Sequence, residues 1–122
     1  MRITEVNDEQ MVFDDGTTIS YGWDGDGYER NYADFEAIMD DELRESEFDF
    51  FELSLSEEAE SQGGFFITFC GMPHQMLGTY DKKCWVPCYS EQNGYYTTEL
   101  EIFVNDENTL KLYCEVDDYC PC

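Results

Sequence analysis

Tyr96-Thr97-Thr98-Glu99-Leu100-Glu101-Ile102-Phe103-Val104, followed after a polar break by Leu110-Lys111-Leu112-Tyr113-Cys114-Glu115-Val116, alternates apolar and polar residues twice over. A period of two marks half-buried strands, because successive side chains point to opposite faces of a sheet. Tyr96, Thr98, Leu100, Ile102 and Val104 therefore share one face, and Leu110, Leu112, Cys114 and Val116 share one on the next strand. Two registers bring those faces together. Pairing Val104 with Leu110 sets Glu99 against Glu115, whereas pairing Val104 with Asn108 sets Glu101 against Lys111. Facing opposite charges stabilise by a few tenths to about 1 kcal/mol, so the second register is predicted.

Upstream, residues 2–23 read as a short meander in which Asp15-Gly16 favours a two-residue hairpin turn, placing Val12 opposite Ile19. Asn31 is a candidate cap for one main helix, about 31–43, with Tyr32, Phe35 and Ile38 or Met39 as its apolar stripe. Residues 48–55 alternate like a strand, with the apolar set changing face between Phe50 and Phe51 as at a bulge. An acidic loop follows at 56–61. Phe65-Phe66-Ile67-Thr68-Phe69-Cys70 is apolar on nearly both faces and suits a central strand. Residues 71–79 read as an irregular connection to a strand over about 82–89. The expected fold is α+β, a single domain over 1–122 with a mostly antiparallel sheet meander and one main helix.

The net charge of -23 is the most unusual property of the 122-residue chain, since six basic side chains face twenty-nine carboxylates. Such a field repels phosphate backbones and anionic membranes, which disfavours direct nucleic-acid binding and membrane docking. The charge is uneven: residues 24–60 hold fifteen acids against only Arg30 and Arg44. Aromatic residues make up 16 % of the chain, too rich for intrinsic disorder despite the charge. The first residues lack the apolar run of a signal peptide, so a cytoplasmic location in a host cell is expected, with the cysteines as thiols or metal ligands.

Cys84-Trp85-Val86-Pro87-Cys88 and Cys120-Pro121-Cys122 invite a four-thiolate zinc reading through Cys84, Cys88, Cys120 and Cys122. Strand geometry weakens it. At about 3.3 Å per residue, two cysteines four apart on an extended strand lie roughly 13 Å apart, too far to share an ion unless Pro87 turns the chain. The competing reading makes Cys70, Cys84, Cys88 and Cys114 small apolar core residues, with no cofactor. Asp24, Asp26 and Glu29 lack the order of an EF-hand and read as a solvated acidic loop. The single histidine, His74, has no nucleophile signature around it, and no phosphate-binding loop is present, so no catalytic residue is expected.

Two further stretches stand out. Tyr32-Ala33-Asp34-Phe35, preceded by Asp26 and Glu29, and Val86-Pro87-Cys88-Tyr89-Ser90-Glu91-Gln92-Asn93-Gly94-Tyr95-Tyr96-Thr97 together resemble a family of small uncharacterised domains of bacteriophages and gut bacteria. The resemblance spans about 20–100 and implies a phage or mobile-element origin, with no activity to carry over. Members typically have two cysteines where this chain has Gly27 and Tyr28.

The functional expectation is a non-enzymatic acidic binding protein that occupies a basic, nucleic-acid-binding surface on a host protein, as an inhibitor of the anti-CRISPR or anti-restriction kind. The expected contact residues are Asp34, Glu36, Asp40, Asp41, Glu42, Glu45 and Glu47, with Tyr89 and Tyr95 as exposed aromatic anchors. The alternatives are an accessory or structural phage protein, acidic for solubility alone, and a small cysteine-dependent zinc protein.

Overall fold

The computed structural model of the chain describes residues 1–25, 29–55, 63–92, 94 and 96–118, with side chains up to 116. The fold is all-β, which corrects the α+β expectation. In chain order the elements are β1 Ile3–Val6, β2 Gln10–Phe13, β3 Thr18–Gly22, β4 Arg30–Ala33, a 3-10 turn Phe35–Ile38, the one-turn helix α1 Asp41–Glu45, β5 Phe50–Ser54, β6 Gly64–His74, β7 Gly78–Gln92, β8 Glu99–Val104, β9 Glu107–Tyr113 and β10 Glu115–Asp118. Sheet one runs β1-β2-β3-β8-β9. Sheet two runs β10-β7-β6-β5, with β4 also on β7.

The long strand β7 organises sheet two. Its residues 78–87 pair with β6, and residues 88–91 pair antiparallel with β4 while 89–92 pair parallel with β10. Since Tyr89 is paired with both Tyr32 and Glu115, β4 and β10 must occupy opposite edges of β7. Pro87 does not turn the chain. It sits where the β4 ladder ends, and its carbonyl accepts the Asp34 N–H at 2.9 Å.

One cluster of buried side chains joins the sheets: Met11, Phe13, Ile19, Leu100, Ile102 and Leu112 from sheet one meet Phe65, Ile67, Phe69, Cys84, Val86 and Cys88 from sheet two. Phe13 stacks on Phe51 at 4.9 Å and takes the edge of Phe48 at 5.9 Å. At about 25 cal/mol per Å² of apolar surface removed from water, such rings dominate the stabilisation.

Three local expectations are corrected. The first hairpin closes by a three-residue loop: Gly16, at φ +89°, takes the left-handed position and donates its N–H to Phe13. Met11 then pairs with Ile19 and Val12 with Thr18, so Val12 does not face Ile19, and Met11, Phe13 and Ile19 all point inward. Residues 71–79 are not an irregular connection, because β6 continues through a bulge at Gly71 (φ +81°) to His74 and turns directly into β7. β5 itself pairs regularly from Phe50 to Ser54, and the change of face precedes it, between buried Phe48 and half-exposed Phe50. The acidic loop expected at 56–61 lies outside the described residues.

The β8–β9 register is the predicted one over most of its length, with Glu101 opposite Lys111 and Leu100 opposite Leu112. A bulge between Ile102 and Phe103 shifts it by one at the tip, so Val104 faces Glu107, and Asn105 and Asp106, both at positive φ, form the tight turn. Lys111 Nζ meets Glu99 Oε1 on the diagonal at 3.4 Å.

Candidate interaction surface

The helix expected over 31–43 is replaced by strand, 3-10 turn and one turn of α-helix. Two causes act together. Glu36 and Asp40 are like charges at i,i+4 spacing, which would repel along a continuous helix. Asn31, meanwhile, is fully buried in β4, where its Nδ2 donates to the carbonyls of Thr97 and Glu99, both at 3.0 Å. Tertiary hydrogen bonding outweighs a marginal local propensity.

What results is a belt, residues 34–49, crossing from β4 to β5. Phe35, Ile38, Leu43 and Phe48 anchor it by burial, and between them Glu36, Asp40, Asp41, Glu42, Glu45, Glu47 and Asp49 are exposed. The 3-10 turn packs against β7 and α1 against β1. Met1 and Phe48 exchange backbone hydrogen bonds, which tie the end of the belt to the start of sheet one. Asp40 caps α1, its Oδ1 accepting the Leu43 N–H at 2.8 Å. Lys82 on β7 clamps the same place, donating to Asp40 Oδ2 at 2.9 Å and Glu42 Oε2 at 3.1 Å. The Lys82 hydrogen bond holds the Asp40 carboxyl below its ordinary range; burial lowers Lys82, but its two carboxylates outweigh that and raise it. Glu45, Glu47 and Asp49 line an open cleft of about 610 Å³ shared with Pro73 and Thr79 of the β6–β7 hairpin.

Of the expected contact residues, Glu36, Asp40, Asp41, Glu42, Glu45 and Glu47 are thus gathered and exposed, with Asp40 and Glu42 partly neutralised by Lys82, while Asp34 is half-buried beside Pro87. Tyr89 lies elsewhere, on the outer face of sheet two, and is half-buried there, not exposed as expected. There its ring is 5.8 Å from Tyr32, which carries the Arg30 guanidinium at 4.5 Å, and Arg30 reaches Glu91 at 3.5 Å. Further along that face Lys83 sits 4.3 Å from the Phe66 ring, itself edge-on to Trp85. Tyr95 falls outside the described residues.

Behind Tyr89 a buried polar cluster ties Asn31, Ser90 and Gln92 to the backbone of Tyr96 and Thr97. Ser90 Oγ donates to Asn31 Oδ1 at 2.5 Å; Gln92 Nε2 donates to Ser90 Oγ and to the Thr97 carbonyl; Gln92 Oε1 accepts the Tyr96 N–H at 2.7 Å. Every one of these buried groups is satisfied, so the cluster holds Tyr96 and Thr97 to β7 at no cost in unpaired polar atoms. The two motifs of the family resemblance are neighbours here, with Ala33 facing Cys88 and Tyr32 facing Tyr89.

Cys84 and Cys88 occupy one unbroken strand, buried on the same face, and so do not converge on an ion. Cys120 and Cys122 lie outside the described residues, among which no group of three or more metal-ligating side chains gathers. Cys70, Cys84, Cys88 and Cys114 are free and buried, and burial pushes their thiols up, Cys114 to about 12. Glu29 is not solvated as expected: it is buried and accepts the Trp23 indole N–H at 3.2 Å. Among the described residues no helix is long and apolar enough to cross a membrane.

Sequence reasoning missed Lys82, whose partners lie forty and more residues away, and the apolar tip of the β6–β7 hairpin, hidden inside a stretch read as irregular. Comparison with protein-family models, curated proteins and solved structures finds no match to this chain.

Proposed function

We propose that this chain is a non-enzymatic binding protein whose belt of carboxylates occupies a basic, nucleic-acid-binding surface on another protein. The observation that carries the reading is the belt: seven exposed carboxylates on one continuous segment, 34–49, held against both sheets by four buried apolar anchors. Density and rigidity both matter. Phosphates along one DNA strand follow one another at about 3.4 Å of helix axis each, and a basic groove built for them can be met by closely spaced carboxylates, provided their backbone is already ordered. The Lys82 clamp and the Asp40 cap supply that order. Resemblance to a phage-associated family adds the setting, in which a host defence nuclease, of the restriction or RNA-guided type, presents such a groove. The action proposed is inhibition by occupancy.

The test uses proteins of a bacterial lysate that bind heparin, offered to the immobilised full chain across a salt series. A bound protein released steeply as salt rises is expected. Asp41→Asn, Glu45→Gln and Glu47→Gln together are expected to reduce retention and flatten the salt response, whereas Asp14→Asn, Asp106→Asn and Glu107→Gln on sheet one are not. Equal loss from both triple variants would mean that overall charge, not the belt, is recognised.

A further inference from the structure

The β6–β7 hairpin projects an apolar dipeptide into solvent. Past the Gly71 bulge only Met72 remains buried; from Pro73 to Thr79 every residue is exposed, and Met76 and Leu77 at the tip are 88 % and 72 % exposed. Those are the two most exposed large apolar side chains among the described residues. Turn positions ordinarily go to Gly, Asn, Asp or Ser, as Asn105-Asp106 shows at the other hairpin. Burying one such side chain is worth about 1.5–3 kcal/mol, and nothing in the fold takes up that gain here.

The tip is preorganised. His74 Nδ1 accepts the N–H groups of both Met76 and Leu77, each at 3.1 Å, and its ring stands edge-on to Tyr80 at 5.6 Å. Around the base of the hairpin carboxylates predominate: Asp81, whose Oδ1 accepts the Gly71 N–H at 3.4 Å, and Glu45, Glu47 and Asp49 across the shared cleft, against the single basic side chain, Arg2, in its lining. An apolar centre inside a charged rim is the usual anatomy of a protein interface.

We infer that Met76 and Leu77 are the anchor by which this chain docks on its partner, inserting into an apolar socket whose rim carries lysine and arginine side chains complementary to the acidic collar. The inference rests on the belt meeting a basic surface and names the contact that fixes its register. The collar decides the occupant. Acids at the base of the tip repel anionic lipid headgroups, and two copies of a chain at -23 would bring like collars together, whereas a basic rim gains on both counts.

The experiment offers the same heparin-binding fraction to the wild-type chain, to the double variant Met76→Ser with Leu77→Ser, and to full chains carrying a photo-crosslinking phenylalanine analogue in place of Leu77 or of Thr109. Expected are an adduct from position 77 and none from 109, and a drop in retention of about tenfold or more for the double variant at fixed salt, with its salt slope unchanged. Retention equal to wild type would overturn the anchor and leave the belt reading standing. No salt-sensitive retention by the wild-type chain would remove both. Flotation of the wild type with phosphatidylcholine vesicles, or a wild-type dimer that the double variant dissolves in sedimentation, would overturn the protein socket in favour of a lipid surface or a second copy.

Discussion

The two long hairpins, β6–β7 and β8–β9, share antiparallel pairing, a bulge near the tip and an inward row of apolar residues, yet they end in opposite chemistry. β8–β9 closes on Asn105 and Asp106, polar residues that tolerate the left-handed backbone a two-residue turn needs. β6–β7 closes on Met76 and Leu77, which no turn geometry asks for, and holds them with a histidine acceptor. A turn filled by its conformational specialists serves only to reverse the chain. One that spends its exposed positions on large apolar groups is shaped by something outside the fold.

That contrast breaks first at the hairpin bases, which should behave alike. Phe69→Ala on β6 and Leu112→Ala on β9 each remove a fully buried side chain and should cost about 3–5 and 2–5 kcal/mol respectively, read by denaturant unfolding. A cost under about 1 kcal/mol for Phe69 would mean that β6–β7 is not part of the common core.

A second effect comes from Cys88 on β7 and Cys114 just after β9. Burial raises both thiols above the ordinary range of a cysteine, so their neutral forms belong to the folded state. Unfolding at alkaline pH then releases protons, so the stability they contribute is full below about pH 9 and is lost as pH rises toward the folded values. For Cys114 the loss should run from about 9 to about 12, at up to about 1.4 kcal/mol per pH unit. Unfolding series at stepped pH read this. Replacing both thiols by alanine should flatten the alkaline limb, and an unchanged limb would show them solvated.

Smaller effects separate the two tips. Asp106→Gly should raise stability by about 0.5 kcal/mol by relieving a positive φ at a non-glycine residue. Met76→Ser with Leu77→Ser should move it by no more than about 0.5 kcal/mol, since neither side chain is buried. A loss several times larger in the second variant would show that the apolar tip supports the fold and has no need of a partner.

Much of sheet one was legible in advance, because strand alternation is local information: Leu100, Ile102, Leu110 and Leu112 declare their face through their neighbours, and Glu101 with Lys111 selects the register. The surface was less legible. The acids at 36–47 were readable as a concentration of charge, but the Lys82 clamp was not, nor was the separation of Tyr89 onto the outer face of sheet two.

Composition and period determined a compact, aromatic-rich, strongly acidic chain with paired strands, since burial and alternation depend on which residues follow one another. Only the tertiary structure decided that residues 30–33 join β7 as a strand, that residues 34–49 become a belt and not a helix, and that Met76 and Leu77 stand free. In each case the deciding interactions, Asn31 with Thr97 and Glu99, Lys82 with Asp40 and Glu42, and β6 with β7 beyond the core, depend on tertiary contacts that a local period cannot register.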